Sequence, residues 1–433
     1  MKQSLRTQLR KATHEGVRRA VGFLPRELRF ALFRSLIDCD PRPDPRLALK
    51  IAETRDELEA CFRILHDAYV ASGFMQVDPS GLRVTPYHAL PTTTTLAATF
   101  DGEVVGTMSL IREGVFGFPL QSVFDLSQVR SREGRIAEIS ALAVHPSFRK
   151  TGGAILFPLM KFMYEYCTQY FDTRHLVIAV NPNKIELYES LLLFERLQQH
   201  TVDRYDFANG APAVGATLDL QRARVEFEAL YGRRRERKNL YRYFVESRMP
   251  NIALPSRAYH TTNDPVMTPE LLDHFFNRRT RVFESLDLRR RVLLHSIYDL
   301  PEYQAVLPPL PSGRLHGIAL RRHQRYSLKC PARLQLGVGG ETASIELEVI
   351  EVSLSGFQAV ARRPLPLDTW GTATVELGMG VRSTLRVAAV RGVRPGASQT
   401  YGFRIDQPDA AWRTCVLALE GGQTHRDLLP QAA

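Results

Sequence analysis

The run from Glu138 to Ala154 concentrates the residue types that acyl or phosphoryl chemistry needs. Its first half, Glu138 to Val144, is apolar apart from one carboxylate and one serine, and reads as the end of a strand. Its second half, Arg149-Lys150-Thr-Gly152-Gly153-Ala154, is a basic, glycine-bearing turn that runs into a helical pattern. Such a turn aims consecutive backbone N–H groups and the positive end of a helix at an anion, usually a phosphate. Glycine lets the backbone come close, and Arg149 and Lys150 add charge. A carboxylate held at a strand end can relay a proton, so Glu138 is a candidate general base. Backbone N–H groups near Val144 are candidates for holding a developing oxyanion.

A second concentration lies far downstream. Arg321-Arg322-His-Gln-Arg325 is followed by Glu351-Val-Ser353-Leu-Ser-Gly356. Arginine forks grip phosphates bidentately and stack on purine faces. A serine hydroxyl and a glycine backbone supply short polar contacts where a ligand comes close.

Plainer readings stand beside each of these. Any strand-to-helix turn can hold two glycines for conformational reasons, and Glu138 could pair with Arg135. His145 precedes Pro146 and reads as a turn residue. Arg63 and Asp67 have the spacing of an i,i+4 ion pair on a helix. The arginine run could be a solvated charged face.

The elements that must position these residues follow from spacing. Residues 1–46 form a basic helical arm ending in Pro41-Arg42-Pro43-Asp44-Pro45. Thr54-Arg-Asp-Glu57 has the form of a capping box, opening a helix with Leu58, Cys61, Phe62, Leu65 and Tyr69 on one face. Asp101-Gly102 between two apolar runs predicts a hairpin. Ile136–Val144 predicts a strand, then a helix to about Tyr170, a strand at Leu176–Val180, a helix at Asn183–Leu192 and two short strands near 201–220. The order argues for one mixed α/β domain over 47–232. A basic connector, mostly helical, covers 233–312 and ends in a proline-rich linker. Alternating strands and glycine turns over 313–421 predict a small β-barrel, with a tail at 422–433.

Composition bounds the partners. The chain of 433 residues has 57 Lys/Arg against 46 Asp/Glu, a formal charge of +11. The excess is uneven: residues 47–232 carry 17 basic and 22 acidic groups, so the positive charge lies in the flanks. No apolar run approaches the ~18 residues of a membrane span. The N-terminal stretch lacks the pattern of a secretion signal. Five scattered cysteines form neither a metal-type pair nor an even disulfide framework, which predicts a cytoplasmic protein without a metal centre. The basic arm is the expected point of any peripheral contact with the inner face of a membrane. The 233–238 run lacks interleaved aromatic residues, so no DNA binding is expected.

Two resemblances sharpen this. Arg149-x-x-Gly152-x-Ala154 resembles the acyl-donor motif of the GNAT superfamily of acyltransferases, over roughly residues 48–220. That superfamily often places an Asn and a Tyr after the next strand, where Asn181 and Tyr188 fall. The resemblance implies that Val144, Arg149, Lys150, Gly152, Gly153, Ala154 and Asn181 hold the donor, as coenzyme A or acyl-phosphopantetheine on an acyl carrier protein. It also implies direct attack of an amine on the thioester, with Tyr188 protonating the leaving thiolate. Glu138-x-Ser140-x-x-x-Val144 looks like the strand shared by acyl-homoserine lactone synthases and long-chain N-acyl amino acid synthases. Lactone synthases usually carry an Arg after the Ser/Thr and an N-terminal Trp; here Ala141 follows, and Trp370 and Trp412 both lie in the C-terminal part. The N-acyl amino acid synthase branch fits better, with an amino acid as acceptor.

The C-terminal part, about residues 316–421, resembles a PilZ domain, the bacterial receptor module for cyclic di-GMP. Its Arg-x-x-x-Arg falls on Arg321 and Arg325, with Arg322 between them, and its (Asp/Asn)-x-Ser-x-x-Gly falls on Glu351, Ser353 and Gly356. Glu351 departs from the usual Asp or Asn by one methylene. The combined expectation is an acyltransferase regulated by cyclic di-GMP; the alternative is a non-catalytic, dinucleotide-responsive scaffold on a degenerate acyltransferase fold.

Overall fold

The computed structural model describes residues 24–149, 151–170, 173–254, 267–298, 301–311, 326–338, 341–378, 380–393 and 399–420. Arg26–Ser35 forms α1, which lies on the N-terminal unit: Arg29 meets Glu186 at 2.5 Å and Arg26 meets Glu189 at 3.0 Å. The described end of the basic arm thus spends its charge on the acidic domain it precedes. Residues 1–23 lie outside the described residues.

Strand β1 (Leu47–Ile51) leads into α2 (Arg55–Ala71), whose start is fixed by the Thr54–Glu57 capping box. The Glu57 N–H reaches the Thr54 hydroxyl at 3.3 Å while the Glu57 carboxylate accepts the Thr54 N–H at 3.2 Å. Strands β2 (Thr93–Phe100) and β3 (Glu103–Arg112) form the expected hairpin. Asp101 at φ 51° and Gly102 at φ 86° are both left-handed, the geometry whose twist matches the flanking strands. Then come β4 (Arg135–Val144), α3 (Leu156–Tyr170), β5 (Thr173–Val180), α4 (Pro182–Leu192), β6 (Glu195–Arg196), β7 (Val202–Tyr205), β8 (Ala211–Asp219) and α5 (Leu220–Tyr231). The sheet order is β1-β2-β3-β4-β5-β8-β6, with β7 also on β8. Only β4 and β5 run parallel among these pairs. Helix α2 covers one face of the sheet and α3 the other, each with its own apolar core.

The described parts of the connector are bound to this unit. Its segment at Asn251–Ala253 lies against β1: the Leu49 N–H donates to the Asn251 carbonyl at 2.9 Å and the Ala253 N–H to Leu49 at 2.7 Å. Met267 to Leu307, including α6 (Leu288–Ile297), packs into the core under α2. Phe275 meets Phe62 edge-on at 5.2 Å, and the Tyr298 hydroxyl donates to the Ala89 carbonyl at 2.5 Å. The connector's described residues form short helical turns of several pitches.

The C-terminal part is a closed antiparallel barrel in the order β10-β11-β14-β13-β12-β9. Its strands are β9 (Tyr326–Val338), β10 (Glu341–Ser353), β11 (Gly356–Ala361), β12 (Trp370–Gly378), β13 (Val381–Val393) and β14 (Gln399–Ile405). Helix α7 (Ala410–Glu420) seals one end through the fully buried Trp412. The protein is therefore a mixed α/β sheet unit followed by a separate small barrel. The two touch where the Arg135 guanidinium on β4 donates to the Ile350 carbonyl on β10 at 2.8 Å.

Candidate active site

The site arises from a break in the sheet. Strands β4 and β5 pair from Arg135 only as far as Glu138–Val177 and then separate. On its other edge β4 slips against β3: Ser140 faces Ser109 and Ala143 faces Thr107, so Ala141 and Leu142 together oppose Met108. This is a β-bulge, and it takes backbone groups out of the ladder. Ala141 is held at φ 55°, a left-handed conformation that costs a non-glycine residue about 1 kcal/mol or more. A cavity of about 330 Å³ fills the resulting gap, lined by Ser140, Ala141 and Leu142 on one side and Ala179, Val180 and Asn181 on the other.

Glu138 stands where the strands part. Alternation along β4 places it with Ile136 on the α2 face. It is 2% exposed, and its carboxyl accepts the Leu120 N–H at 3.0 Å. Arg135 does not pair with it, being directed at Ile350. Burial pushes the Glu138 carboxyl up to about 8, against the smaller opposite pull of the Leu120 hydrogen bond. Beside it lies a small cavity of about 70 Å³ bounded by Tyr69, Phe74, Ser140, Tyr205 and Phe207. Tyr69, Phe74, Ser140 and Asn181 border both cavities, so the carboxyl and the apolar space adjoin.

Tyr205 was not legible as a site residue. It is 4% exposed, its hydroxyl has no hydrogen-bond partner among the described residues, and burial raises its pKa. Nothing in its local sequence distinguishes it from a core tyrosine.

Tyr188, on α4, lines the larger cavity and meets Phe194 edge-on at 6.0 Å. Burial pushes its phenol up to about 12, so it holds its proton at neutral pH. Asn181 caps α4, accepting the Asn183 N–H at 2.9 Å, while also bordering the cleft. His145 behaves as a turn residue, its ring accepting the Ser147 N–H. Arg63 pairs with Glu59 at 3.0 Å, and Asp67 with His66, so the expected Arg63–Asp67 pair is not made. Glu59 also holds Arg279 from the connector at 2.8 Å, so both guanidiniums share one carboxylate.

The glycine turn precedes α3 as the sequence predicts. Gly152 at φ 67° and Gly153 at φ 93° both need left-handed backbone. A Cβ on Gly153 would lie 2.6 Å from the Phe157 ring, whereas Gly152 opens onto free space. Arg149 is exposed and staples the turn, its Nε donating to the Val144 carbonyl at 2.8 Å. Val144 itself is paired with Gly106, so the strand's broken pairing falls at Ala141–Leu142 rather than there. Ala154 closes the turn through its N–H to Thr151, and Lys150 lies outside the described residues.

In the barrel, Glu351, Ser353 and Gly356 border a cavity of about 220 Å³ together with Gln358, Arg391 and Arg404. The Ser353 hydroxyl donates to the Gly356 carbonyl at 2.9 Å, and the Trp412 indole donates to the Ser353 carbonyl at 3.0 Å. A Cβ on Gly356 would come within 2.4 Å of the Phe403 carbonyl, so close strand approach alone requires the glycine. Arg321, Arg322 and Arg325 lie outside the described residues. Arg391 and Arg404 supply cationic groups that the sequence motif did not include. Among the described residues no cluster of His, Cys, Asp or Glu could hold a metal ion, and no helix is long and apolar enough to cross a membrane.

Residues 60–219 match the family model of the N-acyl amino acid synthase FeeM. Among solved structures, the chain is similar to FeeM, an N-acyl amino acid synthase from uncultured soil microbes. The identity is 27% over 42% of this chain and 95% of that one, with a TM-score of 0.36. It is similar to BjaI, a CoA-dependent acyl-homoserine lactone synthase, at 20% identity over 48% of this chain and 92% of that one (TM-score 0.34). An acetyltransferase of the GNAT family from Streptococcus pneumoniae follows at 14% identity over 40% and 98% (TM-score 0.30). No curated protein matches the chain. The family match covers β4, the glycine turn, α3, β5, α4 and β8, and supports an acyltransferase in the N-terminal unit.

Proposed function

We propose that the chain transfers a fatty acyl group from a thioester, on coenzyme A or an acyl carrier protein, to the amine of an amino acid. The observation that carries this reading is that an apolar cavity of about 330 Å³ adjoins the small pocket that holds the Glu138 carboxyl. Ligand sites of this size are mostly apolar with a few placed polar groups. The alkyl chain occupies the larger space, and the amine enters beside Glu138.

In that arrangement the donor phosphates rest on the turn at Arg149–Ala154, and the thioester lies along the bulge at Ala141. The amine nitrogen attacks the carbonyl carbon, and the carbon–sulfur bond breaks as the amide forms. Glu138 takes the amine proton; the raised carboxyl is a base matched to near-neutral pH. Tyr188, still protonated, returns a proton to the departing thiolate.

The reading includes cyclic di-GMP as the ligand of the barrel. Arg321, Arg322 and Arg325 are the expected phosphate-gripping residues, with Glu351, Ser353 and Gly356 as the expected polar contacts. The basic flanks suit an acidic carrier protein or an anionic surface. The test is release of thiol from acyl-CoA and acyl carrier protein donors when amino acids are supplied singly to the purified chain. Release dependent on one amino acid supports the proposal, whereas no release with any pair refutes it.

A further inference from the structure

The family match stops at residue 219, but the larger cavity does not. From Glu138's side it passes between β4 and β5 to the opposite face of the sheet. There its wall is made by Leu220, Ala223 and Phe227 of α5 and by Phe244 and Val245 of the connector. The connector is irregular at this point: Arg242–Glu246 forms a wide π-type turn, closed by the Ser247 N–H on the Arg242 carbonyl at 2.8 Å. Such turns concentrate at functional sites.

Phe244 is 6% exposed and packs edge-on against Tyr164 at 6.2 Å and Phe227 at 6.1 Å. Its carbonyl receives the Lys161 ammonium at 2.7 Å, and that ammonium also meets Glu165 at 2.8 Å. Lys161 is itself 1% exposed. Burying an ammonium is unfavourable unless its protons are engaged. Here the engagement fixes one backbone carbonyl, and so holds the Phe244 wall against α3.

We infer that the turn Arg242–Glu246 is the acyl-length ruler, with Phe244 the specificity-determining residue at the end of the alkyl path and Lys161 the positioning residue behind it. This rests on the acyltransfer reading of the same cleft. The cavity of about 330 Å³ lies within the size range of sites that bury most of a drug-sized ligand, room enough for an alkyl chain. Length selection is therefore a property of the connector, not of the matched domain.

The test is the relative kcat/KM of the full chain for saturated acyl-CoA donors of eight to eighteen carbons. Each methylene that gains apolar burial is worth about fourfold. Phe244→Ala moves the optimum at least two carbons longer, with a relative gain of about fifteenfold for the longer donor. Phe244→Leu gives a smaller shift and serves if the alanine variant does not fold. Lys161→Met broadens the profile, whereas a merely structural role would lower all donors alike. An unmoved optimum in a folded Phe244 variant overturns the inference. Displacement of a fluorescent fatty acid by fatty acids of the same lengths reads the ruler without chemistry. A Phe244-dependent shift in that binding, with no transfer by any variant, retires the acyltransfer reading and leaves the ruler standing.

Discussion

The Glu138 carboxyl accepts the Leu120 N–H at 3.0 Å within a wall that leaves the glutamate 2% exposed. One hydrogen bond is too little to offset loss of hydration, so the acid form is favoured and the carboxyl rises to about 8. A protonated carboxyl at the parting of two strands is a base held in reserve.

Its pH dependence has a definite sign. As a general base Glu138 acts when deprotonated, so transfer rises about tenfold per pH unit below 8 and levels above it. Stability runs the other way. Between the ordinary value of 4.5 and about 8 the native state keeps a proton that the unfolded chain releases, so stability falls as pH rises through that window. The loss is about 5 kcal/mol at 1.36 kcal/mol per unit. Glu138→Gln keeps an acceptor for Leu120 and lacks this loss, so its melting temperature exceeds wild type at pH 8–9. Denaturation of both proteins from pH 5 to 9 checks it.

The glycine turn separates conformation from binding. Gly153→Ala meets the Phe157 ring and destabilises the fold by about 1–3 kcal/mol. Gly152→Ala bears only the left-handed cost of about 1 kcal/mol, since its Cβ meets nothing. If donor phosphates rest there, Gly152→Ala raises KM for the donor several-fold with little change in kcat. Chemical denaturation and donor titration of both variants read the two effects apart.

Ala141 carries strain that a glycine relieves. Ala141→Gly stabilises the folded chain by up to about 1 kcal/mol, because φ 55° is free for glycine. Ala141→Val does the opposite by more, and a urea midpoint series measures both.

Dinucleotide control makes a separable prediction in the barrel. Cyclic di-GMP changes the transfer rate of the wild type and leaves an Arg321→Ala, Arg325→Ala variant unmoved. Ser353→Ala removes the bond to the Gly356 carbonyl and lowers barrel stability by about 1 kcal/mol, whether or not a nucleotide binds. Calorimetric titration together with rate measurements on these variants tests the first statement, and thermal unfolding the second.

Local signals carried much of the N-terminal unit. The Thr54–Glu57 box and the Asp101-Gly102 turn act over a few residues, so residue type nearly decides their conformation. The two glycines at 152 and 153 were legible for the same reason. The bulge at Ala141 was not, because alanine has no preference for left-handed backbone and the slip is set by the partner strand β3. Tyr205 and Phe244 reach the cleft from distant segments, and spacing along the chain says nothing about such meetings. The connector's apolar pairs Leu271-Leu272 and Phe275-Phe276 announced burial, but Phe62 as their partner emerges only in three dimensions. Arg149 shows the converse: its charge was visible, while its hold on the Val144 carbonyl was not.

The most direct measurement is mass spectrometry of lipid extracts from cells expressing the wild type or Glu138→Gln. The account predicts a new series of N-acyl amino acids with the wild type, lost or reduced at least a hundredfold with the variant. The same series at undiminished yield from Glu138→Gln would contradict it.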